Sequence, residues 1–235
     1  MIPLKDTVHA RRMPVVNWLI IIANVLIFLY EAKLGPTRLQ PFATRYGMVP
    51  ARLFASWSAT EIGTLFSSMF LHGGWAHLIS NMWALYIFGD NVEDRMGHGR
   101  YIIFYLFGGV AAALTHAVLQ PYSQIPVIGA SGAISAVMGA YMVLFPRARV
   151  LALLPGFFFI PWIVHVPALL YIGFWIASQL LNGVLVLSFS GPMGMYGGVA
   201  WWAHVGGFAF GLALVKIFED RRASRMWHED EYWPW

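Results

Sequence analysis

The 235-residue sequence contains no cysteine, which excludes disulfides, thiolate catalysis and cysteine-ligated metals. Charge is nearly as scarce: Asp, Glu, Lys and Arg make up 11% of the chain, against about 25% in an ordinary soluble domain. With 59% hydrophobic residues, the chain has too little polar surface to enclose a core in water and reads as a polytopic membrane protein. It has no basic run with interleaved aromatics, and its net charge of +4 comes from residues that flank apolar segments. That placement suits membrane orientation and gives no footing for nucleic acid. A signal-peptide cleavage site is missing as well. Lys5, Arg11 and Arg12 precede apolar residues 15–30, but Glu31-Ala32-Lys33 follows as a helix end, so this segment is expected to be an uncleaved first span.

What is present is a series of apolar segments at residues 15–30, 75–89, 101–119, 131–145, 166–187 and 199–218. They predict an all-α bundle of six transmembrane helices. Pro155, Pro161 and Pro167 punctuate the apolar stretch 150–187 and disfavour a further span there. With the amino terminus inside, eleven of the fifteen Lys and Arg fall on the cytoplasmic side; Lys33, Arg38, Arg45 and Arg52 lie in one long outer loop. Both termini are therefore expected in the cytoplasm. The outer loop, residues 32–72, carries Leu39, Phe42, Leu53, Phe54 and Trp57 and is expected to pack on or dip into the outer leaflet. One membrane domain is expected over residues 1–235. Its short cytoplasmic tails cover about residues 1–14 and 219–235, the second placing Trp227, Trp233 and Trp235 at the headgroups.

Helices two, four and six of this scheme all run from outside to inside. His72, His77 and Asn81 lie at the start of the second, Ser131 at the start of the fourth, and His204 about one turn into the sixth. Five polar groups thus converge at one level of an apolar bundle, where each is costly unless paired or wetted. Gly132, Ala136 and Ala140 form a stripe of small residues on helix four, and Ala203, Gly207 and Gly211 form one on helix six. Packing through these stripes brings the Ser131 hydroxyl within about 3 Å of a His204 nitrogen, the geometry of a base-activated nucleophile. None of the eleven carboxylates lies at the outer ends of helices two, four or six, so a Ser-His dyad is expected without an acid. Its base would be oriented by packing or by a neutral hydrogen-bond partner. His77 and Asn81 share a helix face and, with the Ser131 amide, offer donors to an oxyanion. A metal site built from His72, His77, His116 and His204 lacks an H-E-x-x-H pattern and a nearby carboxylate, and no metal is expected. His116 and His165 are read as paired polar residues.

The pieces His72-Gly-Gly-Trp-Ala-His77-Leu-Ile-Ser-Asn81, Gly129-Ala-Ser131-Gly132 and Ala203-His204-Val-Gly-Gly207-Phe-Ala-Phe-Gly211, in this order across six spans, resemble the rhomboid family of intramembrane serine proteases. The resemblance covers nearly the whole chain and is to the compact six-helix prokaryotic type. It implies a bundle in a prokaryotic plasma membrane with a water-filled cavity open to the outer face. There, peptide bonds in or near transmembrane helices of other proteins are hydrolysed without metal or nucleotide. Ser131 then takes the nucleophile's place and His204 the base's, His77 and Asn81 the oxyanion positions, and His72 the motif histidine upstream. Helix five and the loop with Gly191, Pro192, Gly194, Gly197 and Gly198 resemble the family's lateral gate and cap. Two departures stand out: Ser135 replaces a tyrosine that packs on the histidine in some members, and the outer loop lacks a Trp-Arg dipeptide. A catalytically inactive relative that binds the transmembrane helices of clients is the alternative. A channel or transporter would need intramembrane carboxylates or a charged pore series.

Overall fold

The fold is taken from a computed structural model, which describes residues 1–154, 162–190 and 199–220. The proposed cap glycines 191–198, Pro155, Pro161 and the tail tryptophans lie outside the described residues. A short strand β1 (Ile2–Asp6) is followed by the long helix α1 (Val15–Leu34). Three short helices come next, α2 (Pro36–Tyr46), α3 (Pro50–Ala55) and α4 (Ala59–Ser67), the last running into a 3-10 turn at Ser68–Phe70. The remaining elements are α5 (Trp75–Met96), α6 (His98–Leu119), α7 (Ser131–Leu144), β2 (Arg149–Leu154), β3 (Trp162–Pro167), α8 (Ala168–Ser190) and α9 (Trp201–Phe218).

Among the described residues, α1, α6, α8 and α9 are long and apolar enough to cross a membrane, while α7 is a shorter apolar helix. Helix α5 has the length, but its last two turns carry Asp90, Glu93, Asp94 and Arg95. The lipid-facing character of the outer helices is plain in their side chains: Leu19, Ile22 and Leu26 of α1 and Leu170, Phe174 and Leu181 of α8 are exposed. At the centre stands α7, whose residues from Gly132 to Tyr141 are all buried against α5, α6 and α9.

Glycine sets the closeness of the α7–α9 contact. A Cβ on Gly207 would overlap the Gly132 carbonyl, and one on Gly211 would overlap the Ala136 carbonyl. The two backbones therefore touch where larger side chains would hold them apart. On the other flank, a Cβ on Gly132 would come within 2.6 Å of the Ala112 Cβ of α6.

One end of the bundle is tied together by charge. The buried Glu93 carboxylate accepts from the Val16 and Asn17 amides at 3.0 and 2.7 Å, so α5 caps the first turn of α1, whose amides have no intrahelical acceptor. It also meets the His98 ring at the start of α6. Asp94 accepts from the Arg11 amide at 2.6 Å, and Arg95 reaches Glu219 just past α9 at 3.4 Å. Gly97, with φ of 76°, occupies the left-handed region that favours glycine and turns α5 directly into α6.

The sheet is the main difference from the all-α expectation. Strand β2 lies between β1 and β3, antiparallel to both, with Ile2 opposite Leu153 and Arg149 opposite Pro167. Residues 2–6, expected as part of a short tail, are instead held against α5: the Trp83 indole donates to the Pro3 carbonyl at 2.6 Å and the Asn91 amide to Asp6 at 2.9 Å. The Tyr141 hydroxyl of α7 donates to the same carboxylate. A short apolar run does not distinguish a strand from a buried helix by periodicity, which is why residues 149–167 gave no sign of a hairpin. The outer loop is also more ordered than its sequence suggests, since Met48, Leu53 and Leu65 pack with Ala113 and Ala117 of α6 in a second apolar cluster.

Two measurements probe this packing. Gly207→Val or Gly211→Val should lower thermal stability in detergent, by on the order of 1–3 kcal/mol or more, as for other overpacked cores; an unchanged melting temperature would contradict the backbone contact. Burial pushes the Asp6 carboxyl up to about 6, with the Tyr141 hydrogen bond opposing the rise. Because this lies above the unfolded value of about 3.9, the Asp6 contribution to stability is fully present below about 4 and is lost as the pH rises through about 6. Asp6→Asn should therefore flatten the dependence of melting temperature on pH between about 4 and 6; equal slopes in both proteins would overturn the assignment.

Candidate active site

Helix α7 has 14 residues, about 21 Å at 1.5 Å each. A hydrocarbon layer about 30 Å thick is deeper than that, so a helix of this length cannot carry both of its ends to the membrane surfaces. Ser131 is its first residue, half-buried, and Gly129 two residues earlier has φ of 121°. The Gly129 amide donates to the Ser68 carbonyl at 2.9 Å, pinning the approach to α7 onto the 3-10 turn. A Cβ at Gly129 would lie 2.7 Å from the His77 ring, so glycine both permits the backbone conformation and leaves room for that imidazole.

His204, only 7% exposed, places Nε2 2.8 Å from Ser131 Oγ. Its Nδ1 lies 2.8 Å from Oε1 of Gln179 on α8. Two indoles flank the ring: Trp175 of α8 at a centroid distance of 5.6 Å, and Trp201 edge-on at 6.4 Å. Ser135 turns away from the histidine, its hydroxyl donating to the Ser131 carbonyl at 2.6 Å. The aromatic surface beside His204 thus comes from α8 and from the first turn of α9, with none from α7.

Around the serine, His77, Asn81, Gly129 and Ser131 line one cavity of about 1300 Å³, together with His204. Its apolar walls include Trp75 and Phe88 of α5, Met138 of α7, and Tyr171 and Trp175 of α8, and it reaches Met1 and the Ile2 and Pro3 residues of β1. His72 is fully buried behind this surface. Its Nε2 accepts from the Asn81 side-chain amide at 3.0 Å, and its own backbone amide donates to Glu31 of α1 at 3.1 Å. The ring of His72 meets that of His77 edge-on at 5.0 Å. Among the three residues of the histidine-asparagine element, His77 and Asn81 face the cavity, whereas His72 holds Asn81 from behind.

The four histidines considered as metal ligands do not form a set. Both ring nitrogens of His204 are engaged by Ser131 and Gln179, and no group of three or more His, Asp or Glu suited to a metal occurs among the described residues. His116 is buried on α6 with Nδ1 lacking a hydrogen-bond partner among the described residues, in place of the expected pairing. His165 lies in β3 opposite Leu151.

Two residues escaped the sequence reading. Glu31, a helix end by its sequence and on a helix that carries none of the candidate residues, is 1% exposed on α1 and accepts from the His72 backbone amide. Gln179 carries a readable signal: with Ser178 and Asn182 it interrupts the apolar run of α8.

Chemically, the arrangement offers a hydroxyl hydrogen-bonded to an imidazole, first-turn amides of α7 that lack intrahelical acceptors, and Asn81 within the same cavity. Residues 59–221 match the Rhomboid domain family. The Rhomboid protease GluP of Bacillus subtilis (strain 168) is 34% identical over 130 residues, covering 55% of this chain and 24% of that protein. Rhomboid protein 1, mitochondrial, of Saccharomyces cerevisiae is 28% identical over 171 residues, 69% of this chain and 45% of that protein. The Putative rhomboid protease YdcA of Bacillus subtilis is 29% identical over 135 residues, 52% and 67% of the two chains. The chain thus spans about a quarter of the first of these relatives and under half of the second.

Proposed function

The chain belongs to the rhomboid family, and we propose that it is an intramembrane serine endopeptidase in which Ser131 is the nucleophile and His204 the general base. The observation that carries this reading is the 2.8 Å separation between Ser131 Oγ and His204 Nε2 inside a largely apolar cavity. Ser131 Oγ attacks the carbonyl carbon of the scissile peptide while its proton passes to His204 Nε2. The carbonyl oxygen becomes an oxyanion that draws donors from the start of α7, from Asn81 and from His77. As the C–N bond breaks, His204 returns the proton to the leaving amine. Water then attacks the acyl-serine with the same histidine as base, releasing the carboxylate product and restoring the hydroxyl.

The substrate class follows from the walls. A transmembrane segment of another protein meets the apolar side chains of α5 and α8, and its backbone unwinds locally so that a peptide carbonyl reaches Ser131. In this reading six helices span the membrane, α5 and α7 joining the four strongly apolar ones in a single domain. Gly132, Gly207 and Gly211 pack α7 on α9. The charged end of the bundle and both termini lie in the cytoplasm, and the cavity opens to the outer face of a prokaryotic plasma membrane. The distribution of Lys and Arg supports that orientation, and two of the relatives come from a bacterium. No metal or other cofactor enters the scheme.

In proteoliposomes, a transmembrane substrate with Gly or Pro near one helix end should be cleaved by the wild type. Ser131→Ala and His204→Ala should each reduce cleavage to background without loss of the folded bundle. Asn81→Ala should cost less, up to about 100-fold for one lost oxyanion donor. Cleavage at the wild-type rate by either dyad variant would refute the mechanism. A wild type that binds such helices and cuts none would leave the non-catalytic, client-binding reading.

A further inference from the structure

Resting on the Ser-His reading above, the geometry points to Gln179 as the positioning residue that fixes the tautomer and orientation of His204. A serine mechanism needs Nε2 unprotonated and facing the hydroxyl, so the ring proton must sit on Nδ1. In a Ser-His-Asp triad a carboxylate enforces this. Here, among the described residues, no carboxylate bonds to His204, and the atom at Nδ1 belongs to an amide, whose two ends have opposite hydrogen-bonding character.

The surrounding bonds decide which end faces the histidine. The Ser178 hydroxyl donates to the Trp175 carbonyl at 2.6 Å, which uses its only proton and leaves its oxygen able to accept. Gln179 Nε2 lies 2.9 Å from that oxygen and 3.2 Å from the same Trp175 carbonyl. Both partners are acceptors, so the side facing them must be the NH₂ group. Reversing the amide would set its oxygen against a carbonyl oxygen and a hydroxyl oxygen whose proton is spent. Gln179 Oε1 therefore faces His204 Nδ1 at 2.8 Å, and an acceptor there requires the proton on Nδ1. With Gln179 itself 5% exposed, water offers little competition for either bond.

Gln179 and Trp175 are one turn apart on α8 and so share a face, and both meet His204. Helix α8 thereby sets the proton position as well as lining the cavity. The aromatic support that Ser135 cannot give comes from the same helix.

The test reads the proton directly. In liposomes holding ¹⁵N-histidine-labelled protein, the His204 signals, identified by their loss in His204→Asn, should report an Nδ1–H, Nε2-unprotonated ring at neutral pH. Gln179→Met, close in volume but without an acceptor, should lose that signature and lower kcat by about 10- to 100-fold, part of the roughly 100- to 10,000-fold that a general base contributes, with KM nearly unchanged. A wild-type His204 protonated on Nε2, or a Gln179→Met protein that keeps the Nδ1–H tautomer and wild-type kcat, would overturn the assignment. The wild-type measurement stands even if the variant fails to fold. It also needs no substrate, so a wild type that never cleaves refutes the protease reading without deciding the role of Gln179.

Discussion

The contact on which the molecule depends is the meeting of the α7 and α9 backbones at Gly132 with Gly207 and at Ala136 with Gly211. In an apolar bundle there is little hydrophobic drive for one helix to choose another, and small residues decide which pair approaches closest. The close approach occurs just below the start of α7 and one turn into α9, where Ser131 and His204 project. A bulkier residue at either glycine would separate the helices and with them the 2.8 Å hydroxyl–imidazole bond. Packing and chemistry are one constraint in this region.

Polarity is divided between the two ends of the bundle in different ways. At one end, Glu93, Asp94 and Arg95 are nearly inaccessible and are spent on helix amides, a histidine and Glu219. Those bonds hold α1, α5, α6 and α9 in register. At the other end the polar groups are neutral or histidine, and they open into a cavity: Ser131, His77, Asn81 and His204. Behind them, His72 and Glu31 form a second layer that positions Asn81. Helix α8 packs mainly on α9 and leaves much of its length to lipid, so the element that touches His204 through Gln179 is also the one least enclosed by the bundle.

The juxtaposition of Ser131 and His204 is legible in the sequence because helix direction, depth and the small-residue stripes can each be read from spacing. Helices α1, α6, α8 and α9 are legible for the same reason, as continuous apolar runs. The sheet is not legible: residues 149–154 and 162–167 form an apolar run whose strand pairing depends on β1, more than a hundred residues away in the chain. Nor are the roles of Glu31 and Gln179, since Glu31 acts through His72 in the segment before α5 and Gln179 through His204 on α9, and single-helix patterns carry no such information. Ser135 illustrates the converse. Its identity in the sequence marks a missing aromatic, while the replacement, Trp175, is visible only once α8 lies beside α9.

The account stands or falls on whether Ser131 is an activated nucleophile, and covalent labelling of the purified protein by a fluorophosphonate probe tests this most directly because it requires no substrate. The account predicts label on Ser131, located by peptide mass spectrometry, and its loss when either member of the pair is replaced by alanine. Label elsewhere in the chain, or no label on folded wild type with a second electrophile class also tried, would contradict it.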